Sequence, residues 1–176
     1  DSYNGKPFAG SPNDLVTDPK GGIYFTVNSE KAVFYLSPAG KLIRVTEPED
    51  FTFPNGCLVS ADGSRFFLNN TGDATVWVFD INRDGTLSNK RLFAQNLFSF
   101  SADGIKMDRE GNLYIATDIG IQVWDRNGGY LGHVYFPKPP FNLVFGGKDL
   151  SLLYATCRNQ IYAIRTKNKG FQYPIR

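Results

Sequence analysis

"FPNGCLVSADGSRFFLNN", residues 53–70, and "FSADGIKMDREGNLYIATD", residues 100–118, share one skeleton. A polar residue followed by Gly (Asn55-Gly56, Asp103-Gly104) leads into a short apolar run, an Asp/Gly-containing turn and a second apolar run. Two further copies, "PNDLVTDPKGGIYFTVN" from Pro12 and "FNLVFGGKDLSLLYATC" from Phe141, make four. With Asn13, Asn55, Asp103 and Asn142 taken as equivalent, the steps from 13 to 55, 55 to 103 and 103 to 142 are 42, 48 and 39 residues. That is the spacing of β-propeller blades.

Each unit also carries its own strands. The second apolar run, as at 22–26 and 113–117, is followed by a third run at 33–36, 76–79, 121–124 and 161–164. A fourth is expected at 41–45, 91–94 and 131–136, which makes four strands per unit. Several runs are apolar without clean alternation, so both faces are covered, as in a blade sandwiched between neighbours. Gly-containing turns such as Asp62-Gly63 and Glu110-Gly111 punctuate them, and no helix is expected. The sequence therefore predicts an all-β chain, residues 1–176 forming one β-propeller portion with repeats at about 12–53, 54–101, 102–140 and 141–176. Residues 1–10 read as the closing strand of a preceding blade.

Composition narrows the partners. Aromatic residues make up 15% of the chain and charged residues 20%, with 18 Gly and 10 Pro, which suits short strands and turns. The net charge of +2 is spread without a basic run or stripe, so no nucleic-acid partner is expected and a small molecule fits better. No apolar stretch approaches the roughly 20 residues of a membrane helix, and DSYNGKPFAG is not a signal peptide. The chain reads as soluble, cytoplasmic rather than secreted, with no membrane partner. Cys57 and Cys157 read as two buried thiols. Asn69-Asn70-Thr71 fits a glycosylation sequon, which has meaning on a secreted surface loop.

The polar residue ahead of each first strand is the candidate site. If the first strands surround a central channel, Asn13, Asn55, Asp103 and Asn142 either cap their loops through Asx turns or converge on a site whose hard oxygens suit calcium or a similar ion. The only histidine, His133, falls in an expected outer strand and there is no G-x-S-x-G, which disfavours a Ser-His-Asp triad. Asp80-Ile81-Asn82-Arg83-Asp84-Gly85 copies half of an EF-hand loop, but its twelfth position is Arg91, so it reads as a third-to-fourth-strand turn. Phe66-Phe67, Phe98 to Phe100 and Tyr135-Phe136 read as blade-to-blade core, and Phe98-Ser99-Phe100 also leads straight into Asp103, where Phe100 can wall a pocket.

The strings "SPNDLVTDPKGGIYFT", "PNGCLVSADG", "DGTLSNKRLFA", "ADGIKMDREGNLYIAT" and "FNLVFGGKDLSLLYATC", in that order, resemble the family of gluconolactonase, regucalcin (senescence marker protein) and luciferin-regenerating enzyme. The resemblance implies a six-bladed β-propeller, about four of whose blades lie here, holding one divalent cation and hydrolysing lactones of sugar acids. By motif, it implies that Asn55 and Asp103 ligate the metal and that Asp103 is the catalytic general base. Asn13 would contact substrate or a metal-bound water; Asn142, from its place in the repeat, and Phe100, from its place ahead of Asp103, are read as substrate-binding residues beside it. Calcium leads the candidate ions, with zinc, magnesium and manganese behind it. The family's Asp motif is usually P-D-G and here reads Ala102-Asp103-Gly104. The family's first blade supplies a further Glu ligand, which would come, with the remaining blades, from another segment or chain. A non-catalytic propeller module that binds a partner on its face is the second function class these residues allow, as is a catalytically incomplete fragment.

Overall fold

The repeats fold as four antiparallel sheets whose strands follow chain order, arranged as blades of a β-propeller. The structure, a computed structural model, describes residues 2–3, 5–8, 10–95, 98–99 and 101–171. A hairpin of β1 (Ser2–Tyr3) and β2 (Lys6–Pro7) comes first. The first blade holds β3 (Leu15–Thr17), β4 (Ile23–Val27), β5 (Ala32–Leu36) and β6 (Leu42–Arg44). The second holds β7 (Pro54–Val59), β8 (Arg65–Asn70), β9 (Thr75–Ile81) and β10 (Leu87–Ala94). The third holds β11 (Ile105–Met107), β12 (Leu113–Thr117), β13 (Gly120–Trp124) and β14 (Tyr130–Val134). The fourth holds β15 (Asn142–Gly146), β16 (Leu152–Cys157) and β17 (Gln160–Arg165).

The runs lack alternation because both sheet faces are buried. Side chains of adjacent strand residues point to opposite faces. Thus Phe66 enters the cluster shared with the first blade, with Tyr24, Tyr35 and Phe79, while Phe67 enters the cluster shared with the third, with Val76, Ile105 and Leu113. Tyr114 and Ile121 meet Phe145 and Leu153 of the fourth blade in the same way. Each large side chain buried so contributes roughly 1.5–3 kcal/mol.

Three expectations are corrected. The start of the chain is a hairpin, not one strand, because Gly5 turns it at φ 74° and Tyr3 and Phe8 then pack edge-on against Phe34, each at 5.3 Å. The fourth blade has three strands among the described residues. The chain after β17 instead returns to the third blade, where Arg109 N donates to Lys169 O at 2.8 Å and Asn168 Nδ2 donates to the buried Asp108 carboxylate at 2.8 Å. A buried carboxylate demands donors, and Asn168 is one of the groups that supply them. Third, Phe98 and Tyr135 are 58% and 76% exposed, packing on Tyr130 and His133 of the outer strand β14, while Phe136 does join the core.

Among the described residues there is no α-helix; Asn28–Glu30 and Thr71–Asp73 are short 3-10 turns, and no helix is long and apolar enough to cross a membrane. Cys57 and Cys157 are buried free thiols, as expected. The first strands β3, β7, β11 and β15 pack side by side in sequence. A cavity of about 290 Å³ lies among them, walled by Val16, Leu58, Lys106 and Val144, one from each, and by Phe171.

Candidate active site

Strand register determines which residues are equivalent. Leu15 pairs with Phe25, Cys57 with Leu68, Ile105 with Ile115 and Leu143 with Ala155, in each case first strand to second. Two residues earlier stand Asn13, Asn55, Asp103 and Phe141. Asn142 is therefore not the fourth member of the set; it sits one position later, level with Asp14, Gly56 and Gly104. Its bonding agrees: Asn142 Oδ1 accepts from Leu143 N at 2.8 Å, as Asp14 Oδ1 accepts from Leu15 N at 2.9 Å. Asn142 N donates to Thr156 Oγ1 and Asp14 N to Thr26 Oγ1, at 3.2 and 3.1 Å. A one-residue shift of this kind exchanges the faces that side chains address.

The loops ahead of the first strands are stitched together across blades. Asp14 Oδ2 accepts from Cys57 N at 3.0 Å. Asn55 Nδ2 donates to Ala102 O at 3.3 Å and Asn69 Nδ2 to Asp103 O at 2.6 Å. Gly104 N donates to Phe141 O at 2.9 Å. Glycine is required twice by close approach, since a Cβ on Gly56 would strike the Asp103 carbonyl and one on Gly104 the Asn142 side chain. Asn55 is buried; Asp103 is half-buried.

Electrostatics pick out a residue that sequence reasoning missed. Burial, and then the Asp14 carboxylate, raise the pKa of Asp103 to about 6. Asp14 thus belongs to the Asp103 neighbourhood, while Asn13 is exposed and lines a separate groove with Asn28 and Phe53. The signal was present in "PND": the residue nearest the apolar run was the acidic one. Cys57 has its thiol pKa pushed well up by burial and by Asp14, with the charge of Lys106 acting in the opposite sense.

Oxygen donors are available here. Asn55 Oδ1 and Asn69 Oδ1 are buried and have no hydrogen-bond partner among the described residues, their amide N–H groups being spent on the carbonyls of Ala102 and Asp103. A buried unsatisfied oxygen is costly, and amide oxygens whose own nitrogens are tied to the backbone of Ala102 and Asp103 are hard donors of the kind a divalent cation takes. Among the described residues no three His, Cys, Asp or Glu come together at metal-binding distance, so these donors are one carboxylate plus amides. Phe100 lies outside the described residues. His133 sits in β14, its Nδ1 bonded to Tyr130 Oη, consistent with a structural role.

A profile of the SMP-30/Gluconolactonase/LRE-like region matches residues 4–159. The gluconolactonase of Zymomonas mobilis is 29% identical over 97% of this chain and 54% of its own length. The solved structure of a gluconolactonase from Xanthomonas campestris superposes with a TM-score of 0.80 at 28% identity, covering 93% of this chain and 59% of that one. Regucalcin from Agrobacterium tumefaciens, a calcium-binding protein, shares the fold, with a TM-score of 0.79 at 19% identity over 93% of this chain and 64% of its own. The chain thus spans between half and two thirds of the length of these relatives.

Proposed function

The chain belongs to the SMP-30/Gluconolactonase/LRE-like family, and on that premise we propose that it carries the hydrolytic site of a lactonase acting on a sugar-acid or related lactone, at the mouth of the channel between the first strands. The observation that carries this reading is the half-buried Asp103 carboxylate of raised pKa, with Asn55, whose buried Oδ1 has no hydrogen-bond partner among the described residues, bonded through Nδ2 to the adjoining Ala102 carbonyl. With a pKa of about 6, Asp103 is largely ionised at neutral pH yet basic enough to take a proton, the compromise a general base needs.

Asp103 removes a proton from water as the water oxygen bonds to the lactone carbonyl carbon. The ring C–O bond then breaks, the departing alkoxide takes the proton back, and the product is the open hydroxy acid. Asn55 Oδ1 and Asp103 are the residues here that would hold a divalent cation, calcium first and magnesium, manganese or zinc as alternatives. Such an ion, when bound, supplies Lewis-acid polarisation of the carbonyl oxygen. Asp14 orders the floor of the site through Cys57 N and, as a second carboxylate, keeps Asp103 basic.

The test is proton release from glucono-1,5-lactone by the full protein with calcium. Asp103→Asn should lower kcat by roughly a hundredfold or more, with the unfolding midpoint retained. Undiminished turnover in this variant would overturn the assignment.

A further inference from the structure

Lys106 takes no part in the chemistry of Asp103, and its position is unusual. It pairs with Tyr114 in β12, as Val16 pairs with Tyr24, Leu58 with Phe67 and Val144 with Tyr154, so three blades carry an apolar side chain where the third carries an ammonium. It is the charged residue on the wall of the 290 Å³ cavity, and also on the wall of an adjoining groove of about 600 Å³ that includes Asn142 and Thr156. Its Nζ donates to the carbonyl of Ile105 at 3.0 Å and forms no ion pair among the described residues. An ammonium has three donors, so two remain for another partner. The ammonium stands on a mostly apolar wall with those donors free for an anion that enters the groove. Lys106 lies three residues past Asp103, on β11, and Asn142, which lines the same groove as Lys106, has its side chain against Gly104, the residue next to Asp103.

We propose that Lys106 is a specificity-determining residue that binds an anionic substituent of the substrate, so the lactones favoured here carry a carboxylate or a phosphate. This rests on the lactonase reading of Asp103. A neutral aldonolactone offers Lys106 only hydroxyls, whereas an acidic lactone completes a charge-assisted hydrogen bond, worth roughly ten- to a hundredfold in kcat/KM.

The experiment compares kcat/KM for glucono-1,5-lactone, glucaro-1,4-lactone and 6-phosphoglucono-1,5-lactone in the full protein with calcium, for wild type, Lys106→Met and Lys106→Arg. Wild type should prefer at least one acidic lactone over the neutral one by about tenfold or more, and which of the two is preferred separates carboxylate from phosphate. Lys106→Met should collapse that ratio and Lys106→Arg should keep most of it. Equal rates on all three lactones in wild type, or an acidic-to-neutral ratio unchanged by Lys106→Met, overturns the proposal, and the wild-type comparison decides even if the Met variant does not fold. If no lactone is opened, the lactonase reading fails and the substrate preference with it. Calorimetric titration with glucarate and glucitol 6-phosphate against glucitol then judges the anion site separately: binding of the anions abolished by Lys106→Met supports it, and indifference to the substitution overturns it.

Discussion

Asn55 is a residue whose side chain is half used. Its Nδ2 is bonded to Ala102 O, and its Oδ1 is buried without a partner among the described residues. Removing an oxygen that is already unsatisfied relieves a cost, which offsets the loss of the long Nδ2 bond to Ala102 O, a carbonyl that keeps Thr71 Oγ1 as a donor. The same removal takes away a ligand. Asn55→Ala should therefore leave the metal-free thermal midpoint nearly unchanged while weakening calcium binding by at least the roughly ten- to hundredfold seen when a metal's supporting partners are disturbed. Calorimetry and a melting curve with and without calcium check both halves; a large loss of metal-free stability with unchanged calcium affinity would make Asn55 structural. Asn55 and Asp103 were legible in the sequence because they repeat. Asp14 was not, because its role depends on a bond to Cys57 N, 43 residues away in the chain.

Turns are the element at which the EF-hand likeness is decided. Residues 82–85 close the hairpin between β9 and β10, with Asn82 N donating to Thr86 O at 2.9 Å and Asp84 Oδ1 accepting from Thr86 N and Oγ1 at 3.1 and 2.7 Å. Asp84 is thus occupied within its own turn. Gly85 carries more weight: its φ is 88°, its carbonyl accepts from Tyr24 Oη at 2.9 Å, and a Cβ there would strike the Tyr35 ring. Gly85→Ala should destabilise the fold by about 1–3 kcal/mol, through a strained backbone and a clash at the first blade boundary. Asp84→Ala should change neither the midpoint nor lactone hydrolysis. Denaturant titration of the two variants side by side checks the contrast, and equal losses would refute it.

At the scale of the whole molecule, the blades are stable through one another. Phe67, 1% exposed, meets Phe93 edge-on at 5.2 Å and packs with Ile105 and Leu113 of the third blade. Phe67→Ala should cost about 3–5 kcal/mol, whereas Tyr135→Ala, at a ring 76% exposed, should cost far less. Because the cluster joins two blades, fluorescence and circular dichroism should report one shared shift in Phe67→Ala; separate transitions for the blades would contradict that coupling.

The amino-acid sequence by itself determined the repeat, the short strands, the all-β propeller class and the equivalence of Asn13, Asn55 and Asp103, because these depend on period, turn chemistry and apolar runs. Only the tertiary structure decided the rest. It moved Asn142 out of register by one residue, since pairing with β16 and not the resemblance of "FNL" to "PNG" sets the position. It placed Phe98 and Tyr135 outside and Phe66 and Phe67 on opposite faces, since aromatic content does not say which side of a strand meets a neighbour. And it brought Asp14 to the Cys57 amide and the Asn142 side chain against Gly104, next to Asp103, through contacts that cross blades, which no local pattern along the chain encodes.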